Sequence, residues 1–233
     1  MTEATIPFDV RPIPLPADAP GDVRVWRIDI DFAMPLDSPA YAVMNASERA
    51  RAARFLRHAD AARFGSVRCA LRYVLAAETG IDAASLVLDA DERGRPFLAH
   101  PNAPDFNVSH SGDHGLIAVS LARRVGVDIE EARATFHWRE LAPAVLAGID
   151  REEIEAMTDE AAQSRAFFDC WTVKEAVLKA HGDGIGGGAI TMSGFSVLPR
   201  AGIRYALTRE ASAFDALALD APSGYAAALA WSY

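Results

Sequence analysis

The sequence predicts an α+β fold built as two similar halves, and three observations predict it. Helical periodicity appears twice, and each time short segments with the period of strands follow it. The strand runs read as antiparallel, joined by short turns rather than by crossover helices. The halves also close on related strings: Ser-Gly-Asp-His-Gly-Leu-Ile-Ala-Val-Ser at 111–120 and Ser-Gly-Tyr-Ala-Ala-Ala-Leu-Ala-Trp-Ser at 223–232, as an old duplication would leave. They meet near residue 123. The expected units are therefore 1–122, which begins with an extended leader over 1–20 and holds an arginine-rich helix, and 123–233.

The elements follow in order. Residues 22–30 alternate apolar and charged side chains, the pattern of a half-buried strand. Residues 45–57 are rich in alanine and arginine and predict a helix, with Asn45 or Ser47 as N-cap. A second helix is expected over 60–78, ending near Gly80. Short extended pieces follow at 85–88, 97–98 and 106–109, with a turn at 91–96 between the first two. Strands over 115–121 and 125–130 flank a turn at 122–124. Helices are expected over 138–147, 150–157 and 159–180. The five glycines within 182–188 end the last helix and predict a mobile loop; a phosphate-cradling loop would precede a helix, and this one follows it. Strands over 195–198, 204–208, 214–219 and 225–232 complete the chain.

Composition narrows the function. Of 233 residues, 51% are apolar and 24% charged, as in ordinary globular proteins. No apolar run is long enough to span a membrane, and the first twenty residues lack the basic-then-apolar layout of a secretory signal. A cytoplasmic location is expected, with Cys69 and Cys170 as reduced thiols. A net charge of −9 argues against nucleic acid as a partner. Against that acidic background, residues 48–72 hold seven arginines and two acids, which suggests either an anion site or a solvated helix face. The chain has only two lysines, Lys174 and Lys179, close together on one expected helix. Such clustering hints that this place needs lysine's compact charge.

Three constellations carry candidate chemistry. In Val125-Gly126-Val127-Asp128-Ile129-Glu130, the strand period puts Asp128 and Glu130 on one face and Val127 and Ile129 on the other. Paired carboxylates repel unless a cation lies between them, and hard oxygens suit magnesium. Taken alone, such a pair is more often two solvated acids at a strand end. On the helix over 159–180, Glu175 and Lys179 are four apart and share a face, either as a routine ion pair or as a third carboxylate beside a phosphate-binding lysine. In Asn107-Val108-Ser109-His110-Ser111-Gly112, Ser109 and His110 could donate to phosphate oxygens. They do not read as a hydrolase pair, because adjacent side chains on an extended segment point apart.

Together, Phe106-Asn107-Val108-Ser109-His110-Ser111, Gly126-Val127-Asp128-Ile129-Glu130 and Trp171-Thr172-Val173-Lys174-Glu175-Ala176-Val177-Leu178-Lys179 resemble, in order and spacing, the Sfp-type (surfactin-type) phosphopantetheinyl transferases. The turn Gly94-Arg95-Pro96 and the basic stretch ending Ala53-Arg54-Phe55 add to the likeness, which runs from about residue 22 to the end. The resemblance implies a monomeric pseudo-dimer with a ligand cleft between its halves. It also implies transfer of the 4′-phosphopantetheine group from coenzyme A to a serine of an acyl or peptidyl carrier protein, with 3′,5′-ADP leaving. By position, Asp128, Glu130 and Glu175 would bind magnesium, with manganese a possible substitute. Glu175 and Lys179 would be catalytic. Ser109, His110 and Lys179 would contact coenzyme A phosphates, and Arg51, Arg63 and Arg95 its phosphoadenosine end, where the family often has lysine. Three other readings compete with it. One is a non-catalytic binder of the same fold, one a magnesium-dependent phosphohydrolase of a different fold, and one a nucleic-acid-binding module using the arginine-rich helix, which the net charge of −9 opposes.

Overall fold

A computed structural model describes residues 6–133, 135–182 and 190–233. The expected glycine loop over 182–188 falls outside them, apart from Gly182. That residue closes the long helix in the left-handed conformation (φ 92°), which an L side chain resists.

The first half is a four-stranded antiparallel sheet covered by one long helix. Its strands are β1 (Asp9–Ile13), β2 (Val23–Asp29), β5 (Asp105–Ser111) and β6 (His114–Ser120), in the order β1-β2-β6-β5. Between them come α1 (Ala46–Ala52), α2 (His58–Thr79) and the small hairpin of β3 (Leu88–Ala90) and β4 (Pro96–Leu98). Val67, Leu71 and Val74 of α2 pack on Ile28, Phe106 and Ile117 of the sheet. The second half repeats the plan. Strands β7 (Val125–Glu131), β8 (Arg204–Tyr205), β9 (Phe214–Ala218) and β10 (Tyr225–Ser232) form an antiparallel sheet in the order β7-β10-β9-β8. Helices α3 (Trp138–Val145), α4 (Gly148–Glu155) and α5 (Glu160–His181) lie against it. The fold is therefore α+β, with the long helix of each half on an antiparallel sheet, as expected. Among the described residues no helix is long and apolar enough to cross a membrane.

Four local expectations need correction. The helix expected over 45–57 stops at Ala52. A capping box on Asn45 and Glu48 starts it, and the chain then bends through extended Arg57 before α2 begins. The leader is not merely extended: Asp9–Ile13 adds an edge strand to β2, and Asp18 reaches across to Arg204 at 2.8 Å. The second expected strand of the first half, over 85–88, forms later, at Leu88–Ala90. Residues 195–198 form no strand, because their backbone groups are taken by side chains. Val197 and Leu198 N–H donate to Asp150 Oδ1 (2.8 and 3.0 Å), and Ser196 N–H donates to Thr208 Oγ1 (2.9 Å).

Lys174 explains one of the two lysines. It is fully buried, paired to fully buried Asp150 at 2.7 Å, and donates to the carbonyls of Met192 (2.8 Å) and Phe195 (2.6 Å). A compact ammonium fits three acceptors in this space where a planar guanidinium would not. Lys174→Met is expected to destabilise the fold by about 3 kcal/mol, since it strands a buried carboxylate. Urea unfolding measures this, and an unchanged midpoint would contradict it.

The halves meet along a seam of side chains. Strands β5 and β7 are the facing edges of the two sheets and run parallel, yet belong to no common sheet. Val125 N–H donates to Asp105 Oδ2 (2.7 Å), and Val127 N–H to Asn107 Oδ1 (3.1 Å). Ser109 Oγ donates to Asp128 Oδ1 (2.7 Å), and Ser111 Oγ to Glu130 Oε2 (2.9 Å). Every second residue of β5 thus reaches β7. A shared core of Val23, Val25 and Leu116 with Val127, Ile129 and Leu229 lies on the far face.

Candidate active site

The seam brings the expected carboxylates to α5. Val127 and Ile129 point into the shared core, so Asp128 and Glu130 point the other way. Gly126 sits on that same face, and α5 lies directly on it. A Cβ at 126 would overlap the Ala176 carbonyl oxygen and the Ala180 amide nitrogen. This close approach delivers Glu175 and Lys179, one helical turn apart, to the carboxylates of β7.

Lys179 is the hub. Its Nζ lies 2.6 Å from Asp128 Oδ1, 3.1 Å from Ser109 Oγ and 3.3 Å from the Val127 carbonyl. Asp128 is 2% exposed and Glu175 6% exposed. Burial pushes the Glu175 carboxyl from 4.5 up to about 7, and repulsion from Asp128 adds to it. Lys179 opposes the rise, Glu130 repels further, and a hydrogen bond from Trp171 pulls back. Glu130 is also held above its ordinary range, by burial and then by Asp128. Three carboxylates therefore crowd one space with a single lysine among them.

Two of their oxygens, Asp128 Oδ2 and Glu175 Oε2, are buried without a hydrogen-bond partner. Buried polar atoms are seldom left so, and such atoms point to a missing ligand. Hard carboxylate oxygens with mutual repulsion suit a magnesium-sized cation. The residues fit the metal that the resemblance implies. Among the described residues, however, no three such side chains are already gathered in metal-holding geometry, so a cation would have to draw them together.

The remaining expected residues spread around this centre. His110 is on β5 beside Ser109; desolvation of its ring, then Arg63, Lys179 and Arg51, hold it below its ordinary range. Arg63 donates from Nε to the Gly112 carbonyl (2.8 Å) and pairs with Asp60 (2.7 Å), at the turn after Ser111. Arg51 lines a separate cavity of about 950 Å³ with Arg54, Arg68 and Phe64, facing Leu88 and Pro96 of the β3–β4 hairpin. Its guanidinium lies over the Phe64 ring at 5.0 Å.

Arg95 is placed otherwise. Its side chain is 8% exposed and donates to Asp105 Oδ2 (2.6 Å), the Val125 carbonyl (2.9 Å) and the Lys179 carbonyl. It clips the start of both seam strands to the end of α5 and does not line the arginine cavity. Sequence reasoning missed Arg54 and Arg68 as cavity residues, and it missed Ser111. The polar alternation Asp105, Asn107, Ser109, Ser111 on a strand that also carries buried Phe106 was the available signal.

Comparison with known proteins identifies the family. The 4′-phosphopantetheinyl transferase superfamily matches residues 124–230, and the 4′-phosphopantetheinyl transferase N-terminal family matches residues 38–122. The chain is 35% identical over 167 residues to 4′-phosphopantetheinyl transferase HetI of Nostoc sp., an alignment covering 70% of each chain. It is 34% identical over 167 residues to a putative 4′-phosphopantetheinyl transferase of Synechocystis sp., covering 71% of this chain and 67% of that one. A phosphopantetheinyl transferase of Thraustochytrium sp. is 30% identical over 184 residues, covering 72% of this chain and 64% of its own.

Proposed function

Because the chain belongs to the 4′-phosphopantetheinyl transferase superfamily, we propose that it transfers 4′-phosphopantetheine from coenzyme A to a serine of an apo carrier protein, in the manner of the Sfp type. The observation that carries this reading is the buried cluster of Asp128, Glu175 and Lys179 with its two unpartnered carboxylate oxygens. Asp128, Glu130 and Glu175 would hold magnesium, or manganese in its place. The bound ion would neutralise the pyrophosphate of coenzyme A. The carriers are those of fatty-acid, polyketide or nonribosomal-peptide synthesis. The catalytic unit is a monomer, its halves dividing at 122/123, and it works in the cytoplasm.

The chain's own residues supply the rest. The carrier serine oxygen attacks the β-phosphorus, the bond to the bridging oxygen breaks, and 3′,5′-ADP leaves. The Glu175 carboxylate, or a water it polarises, would take the serine proton. Lys179 Nζ stabilises the charge that grows on the leaving phosphate. His110 would contact the phosphates, and Ser109 would do so by turning its hydroxyl away from Asp128. Arg51, with Arg54 and Arg68, takes the phosphoadenosine end in the arginine cavity, and Arg63 supports the turn beside it. Arg95 keeps the assembly closed, since its donors are already engaged.

The test is the intact mass of an apo carrier protein after incubation with enzyme, coenzyme A and magnesium. A gain of one phosphopantetheine group, lost with EDTA, is expected. Asp128→Asn should cut the rate by about a hundredfold or more while the far-ultraviolet circular dichroism stays unchanged. No gain with carriers of all three pathways would overturn the reading.

A further inference from the structure

The seam serines treat Asp128 and Glu130 of β7 alike. Ser109 Oγ receives a proton from Lys179 Nζ (3.1 Å) and gives its own to Asp128 Oδ1 (2.7 Å). Ser111 Oγ receives the Glu131 backbone N–H (3.1 Å) and gives its own to Glu130 Oε2 (2.9 Å). A hydroxyl has one proton, so a donor arriving at the oxygen fixes where that proton goes. Each serine therefore occupies one oxygen of its carboxylate and leaves the other to the site. At Asp128 the spare oxygen, Oδ2, is buried and unpartnered.

Ser111 itself reaches no expected phosphate contact. It sits just before the turn at Gly112, whose carbonyl Arg63 holds at 2.8 Å, and Tyr225 Oη accepts Asp113 N–H on the far side at 3.0 Å. Its strand end is thus braced from both halves. Glu130 is half-buried near the end of β7 and has a long side chain with three rotatable bonds. Without a fixed donor it would lose conformational entropy each time it bound a ligand. Orienting groups behind a metal ligand commonly set its affinity.

We propose that Ser111 is a positioning residue that holds Glu130 for a divalent cation, the counterpart of Ser109 at Asp128. The inference rests on the reading of Asp128, Glu130 and Glu175 as cation ligands. It makes Ser111 act through Glu130 and not by touching coenzyme A.

The experiment is calorimetric titration of magnesium chloride into the full-length protein saturated with coenzyme A, with coenzyme A affinity measured separately in EDTA. Ser111→Ala is expected to weaken magnesium binding about tenfold and to leave coenzyme A binding as it was. Ser111→Thr, which keeps the hydroxyl, should restore most of the magnesium affinity; a merely structural loss would not recover in this way. Ser111→Cys keeps the shape with a weaker donor and should fall between, and it serves should the alanine variant not fold. Wild-type magnesium affinity in a folded Ser111→Ala or Ser111→Cys protein would overturn the proposal alone. Absence of magnesium binding by the wild type would overturn the cation-site reading, and the proposal with it.

Discussion

Replacing Glu175 by glutamine is expected to abolish transfer and at the same time make the metal-free protein harder to unfold at pH 8. On the proposed reading the loss of transfer follows from removing a cation ligand and the proton acceptor, and should reach about a thousandfold. The gain in stability follows from the raised proton affinity of this carboxyl. In the fold it holds its proton up to about 7, against 4.5 for the free group. Its contribution to stability is therefore complete below 4.5 and is lost as the pH rises through about 7, leaving a charged carboxylate that repels Asp128 and Glu130. The difference corresponds to about 3 kcal/mol. A glutamine amide carries no charge, and its NH2 can donate to those same carboxylates. Thermal unfolding at pH 8 in EDTA should show the variant melting about 5 °C or more above wild type. Added magnesium should raise the wild type much more than the variant. A variant that melts lower in EDTA would mean that the carboxylates do not crowd as described.

Gly126→Ala is the second large effect, and here the structure itself should yield. The added methyl would meet backbone atoms of α5, the Ala176 carbonyl and the Ala180 amide, and not the free end of a side chain. The helix must move off β7, and Glu175 and Lys179 move with it. Overpacking of this kind costs about 3 kcal/mol, and a shift of about 1 Å in catalytic groups costs about a hundredfold in turnover. The kinetics should show kcat falling by that factor, with a lowered melting temperature. Gly148→Ala, where an added Cβ meets nothing within 4 Å, is the control and should behave as wild type. Full turnover in Gly126→Ala would show that α5 does not need its close seat on β7.

The sequence carried the architecture well because its information was periodic. The paired long helices, the strands around 115–121, 125–130 and 225–232, and the shared face of Asp128 and Glu130 were all readable from spacing alone. What escaped was non-local. Residues 195–198 look like a strand, but their amides are claimed by Asp150, some fifty residues earlier in the chain. Arg95 looks like a ligand for an anion, yet its partners lie on β5, β7 and α5, none of which a local pattern points to. Lys174 and Lys179 stand together in composition, but one holds the core and the other the carboxylate cluster at Asp128. Only the fold separates them. The seam serines were in plain view as a polar alternation, and their meaning depended on knowing which strand stood opposite.

That seam also bears on how this chain survives in a crowded cell. A sheet edge is a row of unused backbone donors and acceptors, and such rows are where strangers attach. Here the first half lends its polar side chains to the edge of β7: Asp105, Asn107 and Ser111 accept the backbone N–H groups of Val125, Val127 and Glu131. The protection lasts only while both halves are present. Half a molecule, whether released by a protease or emerging first from synthesis, would carry a bare edge beside an uncovered apolar face. Such a fragment is a substrate for chaperones or a seed for aggregates, which is good reason for the two halves to stay on one chain.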